Sequence, residues 1–394
     1  MRVRKERSGS GSSLDGSDTR LLIEERLPRL NGSRFKRKHR RSYANIIVIA
    51  LLLLTGVSFW LLLRSLGQLN QFSAGSYDPR PLSDTQLRVD GTSVHKLAVV
   101  TDLDHDSLNG NEWISYYKTG ELSVSADRKS VSISWADKSD VILKTNMAAG
   151  GRAMELSDLV VFDRKLLTID DRTGLIYEIV NKTVVPWVFL NDGPGRELKP
   201  LKGEWMTVKD EELYIGGLGK EWSTAAGEFI NDHPMWVKIV DRNGRVRHVN
   251  WRAHYVQLRE AVGIKPPGYM IHESVQWSPV HQQWFLLPRR SSSLAYNDAE
   301  DEKRGTNMLI MASENFDQVS FTRIGKGVYE GTKGFSAFQF IPGTDDELIV
   351  ALKSEEVEGK SVASHVTVFD ISGKVLLDDQ LLTGKFKFEG LAII

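Results

Sequence analysis

The chain contains no cysteine among its 394 residues. Disulfide bonds and thiolate metal ligands are therefore excluded, and because no HExxH helix motif is present either, a zinc site is not expected. The protein must instead be held together by core packing or by a metal bound through oxygen atoms. Helical patterns are also scarce, since only Trp251 to Val262 has a convincing helical period. Short apolar runs separated by Gly, Asp, Asn and Lys predominate, which predicts an all-β protein.

A net charge is lacking too, because 51 basic residues balance 51 acidic ones. The two signs are nevertheless unevenly distributed. Up to Tyr43 there are 13 Lys and Arg against 5 Asp and Glu, whereas the rest of the chain has 38 basic and 46 acidic residues. A mildly acidic body argues against nucleic acid as a partner and is compatible with cationic ligands.

An apolar run without charged residues extends from Ala44 to Leu63, and it is long enough to cross a bilayer core. A cleaved signal peptide would have a shorter apolar core close to the N-terminus, whereas more than forty residues precede this run. The basic cluster Arg34 to Arg41 lies on its N-terminal side, so the positive-inside rule places the tail in the cytosol. We therefore expect a single-pass type II signal anchor with the C-terminal body of the protein in the lumen or outside the cell.

Composition divides the chain into segments, beginning with a tail rich in Ser, Gly and Arg that is predicted to be disordered. The predicted segments are a cytosolic tail (1–43), a transmembrane signal anchor (44–63), a polar stem (64–93) and a compact domain (94–394). Glycosylation is predicted at Asn181 in the lumenal sequon NKT, and not at Asn31 in the cytosolic sequon NGS. None of these patterns determines the oligomeric state, and a homodimer is left open.

One hairpin recurs along the compact domain, in which a Ser or Glu heads a strand that turns back into a second strand. In the first copy, SDLVVFDRKLLTIDD, the turn is predicted at Arg164-Lys165. Successive heads are separated by 47, 69, 63 and 53 residues, and irregular periods of this size are typical of propeller blades whose loops vary in length. The five heads are Ser157, Glu204, Glu273, Ser336 and Glu389.

The last copy is truncated, because the chain ends soon after Glu389. A strand without a predicted partner, KLAVVTDLD, extends from Lys96 to Asp104 near the start of the domain. If this strand completes the last blade, the ring closes and no sheet edge is left exposed. The sequence therefore predicts a five-bladed β-propeller closed by an N-terminal strand.

Convergence of the five heads predicts a metal site. The innermost strand of each blade lines the central channel of a propeller, so equivalent heads would surround one axis. Three carboxylates brought together repel one another unless they are protonated or bridged by a cation. Calcium suits such a site, because it accepts roughly six to eight oxygen ligands in flexible geometry. The alternative is that the heads are polar strand ends that face water.

Several longer stretches resemble the calcium-activated nucleotidase (apyrase) family. They include GRAMELSDLVVFD, IDDRTGLIYEI, EWMTVKDEELYIGGLGKEW, PPGYMIHES, WFLLPRR, GFSAFQFIPGTDDELIVALKSEE and the terminal FEGLAII. The resemblance extends over essentially all of Lys96 to Ile394, and the N-terminal anchor is similar to that of a membrane-bound family member. It implies a five-bladed propeller with Ca²⁺ in its channel, and the five heads fall on the positions that bind calcium in the family. The absence of cysteine is a departure that the family tolerates.

The activity that the resemblance implies is calcium-dependent hydrolysis of nucleoside di- and triphosphates, with UDP and GDP favoured by the vertebrate member. The resemblance thus implies a membrane protein of the endoplasmic reticulum or Golgi with a lumenal catalytic domain, where such an enzyme would clear the nucleotide product of glycosyl transfer. Release in a soluble form is left open. Hydrolysis of a phosphoanhydride needs neutralised phosphate oxygens, an oriented water and a proton acceptor. The catalytic candidates are Asp102, Asp104, Asp170 and Asp171, with Arg172 beside them. The candidates for substrate contacts are the cations Lys220, Arg289, Arg290 and Lys353 and the aromatic residue Trp222.

Two alternatives use the same fold without nucleotide hydrolysis. A calcium-stabilised propeller could be a non-catalytic lumenal binding module, although such a scaffold does not need the acids and arginines of DDRTG and LPRR. A calcium-dependent lactonase-type hydrolase would also place carboxylates around Ca²⁺, but six blades would be expected there.

Overall fold

The computed structural model describes residues 47–61, 76–136, 140–326, 329, 331–384 and 386–394. The chain divides into two compact units, Met1–Gly75 and Ser76–Ile394. In the first unit a helix, α1, covers 47–61, and its apolar side chains are exposed. Over the described part of the chain, no helix has both the length and the apolar character needed to cross a membrane. The predicted tail and the two ends of the predicted anchor, 44–46 and 62–63, lie outside the described residues.

The second unit is built almost entirely of antiparallel strands, as predicted. Its N-terminal sheet is organised around the long strand β4, which pairs with β2, β3, β5 and β6, while β1 pairs with β2. These strands are β1 (Gln86–Leu87), β2 (Ser93–Asp102), β3 (Leu108–Asn109), β4 (Glu112–Val124), β5 (Val131–Trp135) and β6 (Val141–Thr145). A 3₁₀ helix, Asp104–Ser107, follows β2. Residues 76–93, assigned to the stem by composition, belong to this unit, and the Tyr77 ring lies 5.8 Å from that of Phe162.

Four further sheets share one plan, with four antiparallel strands that follow one another across the sheet in chain order. The first contains β7 (Leu156–Phe162), β8 (Lys165–Asp170), β9 (Leu175–Val180) and β10 (Thr183–Phe189). The second contains β11 (Trp205–Lys209) and β12 (Glu212–Gly216), then, after a separate hairpin of β13 (Trp222–Ser223) and β14 (Phe229–Asn231), β15 (Trp236–Val240) and β16 (Val246–Asn250). The third contains β17 (Tyr269–Ser278), β18 (Gln283–Ser292), β19 (Met308–Ser313) and β20 (Val319–Arg323). The fourth contains β21 (Lys333–Phe340), β22 (Leu348–Val357), β23 (Lys360–Asp370) and β24 (Val375–Leu381).

The last strand, β25 (Lys387–Ile393), pairs with β2 rather than with the fourth sheet, and its register sets Leu97 opposite Ile393. The first strands of successive sheets are neighbours, so that β7 contacts β11, β11 contacts β17, and β17 contacts β21. Strand β25 contacts both β21 and β7. The result is a propeller-like arrangement of sheets whose first strands meet at the centre.

Burial decreases from the first strand of a sheet to its fourth. Every residue of β7 except Val161 is buried, whereas β10 and β20 are mostly exposed. A strand buried on both faces requires a continuous apolar run, which LVVF supplies in β7, and an outer strand does not. The apolar core therefore fills the space between neighbouring sheets, as in the cluster of Trp205, Trp277 and Trp284 between the second and third.

Two local predictions can be compared with the structure. The helix predicted over Trp251 to Val262 is confirmed as α2, Arg252–Ala261, whereas the short helix α3, Asp298–Asp301, was not predicted. The turn between β7 and β8 was placed one residue too late. Its central residues are Asp163 and Arg164, which adopt φ values of 47° and 64°, the positive φ that a tight hairpin turn requires.

Candidate active site

Four of the five repeat heads lie at irregularities of an inner strand and not at its start. In the pairing of β7 with β8 the register shifts between Leu156 and Asp158, so Ser157 is left without a partner. Equivalent irregularities surround Glu273 in β17, Ser336 in β21 and Glu389 in β25. The exception is Glu204, which directly precedes β11 and donates its N–H to Gly216 O at 2.8 Å. A β-bulge changes the direction in which a side chain points. The side chains of these heads can therefore point towards the centre, where they could act as ligands.

A cavity of about 430 Å³ lies at these positions, and its walls come from several sheets. Glu204, Glu273 and Glu389 line it, whereas Ser157 and Ser336 are buried nearby without lining it. Eleven Asp or Glu side chains and seven Lys or Arg side chains form the walls. Because many of these side chains are buried, this excess of four negative charges in one cavity is costly unless protons or a cation offset it.

The three glutamates are each paired with a cation. Glu204 lies 2.8 Å from Lys202 Nζ, and Arg289 Nη1 contacts Glu273 at 2.5 Å and Glu389 at 2.9 Å. Burial raises the pKa of Glu204 to about 8, although Lys202 opposes the shift. Burial likewise raises the pKa of Glu389, against Lys387 and Arg289. These carboxylates therefore have a high affinity for a positive partner, be it a proton, a lysine, an arginine or a metal.

A second acidic group in the cavity consists of Asp102, Glu155 and Asp171, each with a carboxylate oxygen within 4.8 Å of the others. Burial raises the pKa of Glu155 to about 8, and the charges of Asp102 and Asp171 add to this shift. Each member also contacts its own cation. These pairs are Asp102 with Lys387 at 2.6 Å, Glu155 with Arg152 at 2.6 Å, and Asp171 with Lys202. The group could hold a metal by its spacing. Its cations compensate its charge only in part, because Lys202 also contacts Glu204 and Lys387 also contacts Asp104 and Glu389.

The predicted catalytic acids fall into different surroundings. Asp102, Asp104 and Asp171 line the cavity, together with Arg172, whereas Asp170 does not. The carboxylate of Asp170 accepts hydrogen bonds from the N–H groups of Met154 at 2.9 Å and Arg172 at 3.0 Å, and burial raises its pKa to about 6. Asp170 therefore fixes the turn after β8. Asp171 differs from it, because its buried Oδ1 has no hydrogen-bond partner among the described residues.

The predicted phosphate-binding cations are only partly brought together. Lys220, Arg289 and Arg290 line the cavity, but Lys353 lines a different one and pairs with Asp379 at 2.9 Å. The guanidinium of Arg289 is surrounded by carboxylates, since Glu356 lies 2.7 Å from its Nη2 in addition to the two glutamates on Nη1. The guanidinium of Arg290 has fewer carboxylate partners than that of Arg289, and its buried Nη1 has no hydrogen-bond partner in the described part of the chain.

One end of the cavity is aromatic. Trp222 and Tyr296 line it, with Lys199 Nζ 3.9 Å from the Trp222 ring and Lys220 Nζ 4.1 Å from the Tyr296 ring. Trp205, by contrast, is completely buried in the core. A planar ring bound at this end would have an aromatic partner and nearby positive charges.

Sequence reasoning missed eight charged residues that line this cavity, among them Glu155, Lys202, Lys387 and Arg152. A signal for three of them was present. Glu155, Lys202 and Lys387 each lie two residues before a head, and residues two apart in an extended strand point to the same side. Of the three, only Lys387 lies within a described strand, β25, while Glu155 and Lys202 shortly precede the inner strands of their sheets. Arg152 had no such signal, because its role depends on the fold bringing it to Glu155.

A buried, mixed-charge cavity that combines convergent acids with unoccupied cationic donors has the properties of a hydrolase site for a phosphorylated substrate. Comparison with known proteins is consistent with this class. A model of the Apyrase family matches residues 102–394. "Apyrase apy-1" of Caenorhabditis elegans is 55% identical over 77% of this chain and 85% of its own. "Soluble calcium-activated nucleotidase 1" of Rattus norvegicus is 48% identical over 80% of this chain and 78% of its own, and "Apyrase" of Cimex lectularius is 39% identical over 76% and 82%. The chain therefore belongs to the Apyrase family, and it is a nucleotide phosphatase.

Proposed function

We propose that this protein hydrolyses nucleoside diphosphates, with UDP and GDP preferred, and also nucleoside triphosphates, with Ca²⁺ as its cofactor. The observation that carries the proposal is the convergence of Glu204, Glu273 and Glu389, from three different sheets, on one cavity with an excess of acidic side chains. The rat relative is named as calcium-activated. The work of such an enzyme in the secretory lumen would be to clear the nucleotide product of glycosyl transfer.

The fold we propose is a five-bladed propeller, with the N-terminal sheet and β25 as the fifth blade. The support is the pairing of β25 with β2 and the contact of β25 with the first strands of two neighbouring sheets. In that arrangement β25 is the inner strand of its blade. Glu389 then occupies the place that Ser157, Glu204, Glu273 and Ser336 occupy in the other four blades.

The calcium ligands we propose are the five heads Ser157, Glu204, Glu273, Ser336 and Glu389. The hydroxyl of Ser157 is buried and has no hydrogen-bond partner among the described residues, which is a cost that a ligand would remove. The hydroxyl of Ser336 donates to Phe388 O at 3.2 Å and still has lone pairs. Oxygen ligands of this kind, without nitrogen or sulfur, fit a hard cation such as Ca²⁺. When bound, the ion supplies a positive charge that polarises the phosphate.

Asp171 is the general base we propose. Asp102 Oδ1 accepts from Asp104 N at 2.7 Å, and Glu155 accepts from Arg152 through both oxygens. Asp170 is bonded to backbone N–H groups, as described above. Of the four predicted acids, only Asp171 has a buried carboxylate oxygen, Oδ1, without a hydrogen-bond partner among the described residues. We propose that this oxygen accepts a proton from the attacking water, while Lys202 holds the other oxygen in place.

The phosphate groups are proposed to contact Lys220 and Arg290. Lys220 Nζ donates to Glu221 O at 2.9 Å and Ser223 Oγ at 3.1 Å, so one of its three N–H donors is left for a ligand. Arg290 lines the cavity, and its buried Nη1, which lies close to Gly334, has no hydrogen-bond partner among the described residues. Arg289 is instead assigned to the glutamates that surround it, and we propose no substrate contact for Lys353. Trp222 is proposed to stack on the nucleobase.

Neither alternative has comparable support. Membership of the Apyrase family opposes a non-catalytic binding module. A lactonase-type propeller would need six blades, whereas the described strands form four regular sheets and the N-terminal one.

Phosphate should be released from UDP by the purified full-length protein in calcium-containing buffer, because UDP has the phosphoanhydride bond that the site is proposed to cleave. UMP is the matched control, since it has only a phosphate ester and should release no phosphate. A colorimetric phosphate assay measures both. If the protein hydrolyses none of UDP, GDP, UTP and GTP, the proposed function is wrong.

We further propose a type II membrane protein anchored by 44–63 with a glycosylated lumenal domain. Asn181 lies at an exposed hairpin turn between β9 and β10, from which an attached oligosaccharide would extend into solvent. Substituting Asn181→Gln should abolish the glycosidase-sensitive mobility shift of the protein expressed in animal cells. Asn31→Gln is the control and should leave the shift unchanged. Persistence of the shift in the Asn181→Gln variant would contradict the assignment.

A further inference from the structure

Helix α2 is the longest helix among the described residues of the second unit, and it packs against a short segment that enters the cavity. Its residues Tyr255 and Arg259 are almost completely buried. The segment they face runs from Leu218 to Glu221, directly before the hairpin β13–β14. Helix α2 therefore packs against the segment that carries part of the proposed substrate site.

Arg259 makes a two-pronged ion pair with Glu221. Its Nη1 donates to Glu221 Oε2 at 2.9 Å and its Nη2 donates to Glu221 Oε1 at 2.8 Å. The Arg259 side chain is only 5% exposed, against 23% for Glu221. Parallel hydrogen bonds between a guanidinium and a carboxylate fix both the distance and the orientation of the two groups. A buried arginine without this partner would be an uncompensated charge.

The ion pair is linked directly to the cavity. The backbone carbonyl of Glu221 accepts a hydrogen bond from Lys220 Nζ, and the next two residues, Trp222 and Ser223, line the cavity. Among the described residues, strand β13, to which they belong, pairs with β14 and with none of the larger sheets. The tip of the hairpin contacts the start of α3, where Asp298 N donates to Ala225 O at 3.2 Å, and its base is fixed at Glu221.

Gly219 adds a second point of attachment. Its φ is +67°, and a β-carbon at this position would lie 2.5 Å from Tyr255 Cε1 and 2.8 Å from His272 Cδ2. The backbone before Lys220 therefore lies directly against α2 and β17, which only a residue without a side chain permits. The helix holds this segment by close packing at Gly219 and by charge at Glu221.

We propose that Arg259 is a positioning residue for substrate binding, which acts through Glu221 to hold Lys220 and Trp222 in the cavity. The inference rests on the proposed function, because Lys220 and Trp222 are there assigned to the phosphates and the nucleobase. Arg259 itself does not line the cavity. It fixes the segment that presents two ligand-binding side chains, so its loss should affect binding more than the chemical step.

The test compares Arg259→Gln and Glu221→Gln with the unsubstituted full-length protein. Each variant should raise the KM for UDP by about tenfold while kcat stays within about twofold. The double variant should be no worse than either single one, because both remove the same interaction. Arg259→Lys keeps the charge but not the parallel hydrogen bonds and should give an intermediate KM. Amide hydrogen exchange over 220–231 should be faster in Arg259→Gln than in the unsubstituted protein. This measurement does not depend on enzymatic activity.

The matched control is Arg247→Gln, which breaks the exposed Arg247–Glu212 pair on the second sheet, away from the cavity. It should change neither KM nor exchange over 220–231. Thermal unfolding identifies any variant that does not fold. If Arg259→Gln does not fold, the KM of Glu221→Gln decides the test, because the Glu221 side chain is partly exposed. A KM for UDP within twofold of the unsubstituted value in a folded single variant would overturn the inference. Inactivity of the unsubstituted protein towards UDP would overturn the proposed function instead, and exchange over 220–231 would still decide whether Arg259 fixes the hairpin.

Discussion

Turnover of UDP should fall by about 10²-fold or more when Asp171 is replaced by asparagine, because the amide cannot accept the proton of the attacking water. The two side chains have nearly the same shape, so the calcium requirement and the KM should change little. Asp171 is chosen because this residue lines the cavity and its buried Oδ1 has no hydrogen-bond partner among the described residues. Steady-state kinetics over a range of calcium concentrations measure all three quantities.

Asp241→Asn is the matched control for this substitution. Asp241 lies outside the cavity, in the turn between β15 and β16, and its Oδ1 accepts from Asn243 N and Arg245 N. An asparagine oxygen can accept the same bonds, so turnover should be unaffected. If Asp171→Asn keeps normal turnover while Asp102→Asn loses it, the proton acceptor is Asp102 and our assignment is wrong.

The strands of the second unit could be predicted well from the sequence, because local patterns determine them. The inner strand β7 is a continuous apolar run, and its turn needs only two residues that tolerate positive φ. The turn was still misplaced by one residue, since Asp163, Arg164 and Lys165 are all polar and the pattern does not rank them. The bulges at the heads could not be foreseen either. Ser157 looks like the start of a strand, but it lies within one, where two residues oppose a single partner.

Site residues that recur at equivalent positions of the repeat could be predicted from the sequence. Site residues whose roles depend on contacts between sheets could not. Glu204, Glu273 and Glu389 were found because they recur at matching positions. Lys353 lies within an inner hairpin, in its second strand β22, but it pairs with Asp379 from the same sheet, at a different cavity. Arg289 was expected to bind phosphate, yet it contacts Glu273, Glu356 and Glu389, which come from separate strands. No spacing along the chain encodes which acid will neutralise which cation.

Removal of calcium should abolish UDP hydrolysis and also lower the stability of the fold. A ligand that binds only the native state adds RT ln(1 + [L]/Kd) to the free energy of unfolding, about 2.7 kcal/mol at a hundredfold excess over Kd. The five proposed ligands come from different sheets, so their metal would join the sheets at the centre. Thermal unfolding of the full-length protein in calcium and in chelator measures this effect. Identical melting temperatures would contradict a metal at the centre.

The corresponding substitutions Glu204→Gln, Glu273→Gln and Glu389→Gln should each raise the calcium concentration that gives half-maximal activity, by about tenfold or more. Each removes one negative charge from the proposed ligands and keeps the shape of the side chain. Part of the lost rate should return at high calcium, which distinguishes a metal ligand from the proton acceptor Asp171. The control is Glu314→Gln, whose carboxylate is exposed and contacts Lys209 outside the cavity. If the calcium requirement is unchanged in all three variants, or shifts equally in Glu314→Gln, the glutamates are not the ligands. The charges of Glu204, Glu273 and Glu389 would then be balanced by Arg289, Lys202 and Lys387 alone.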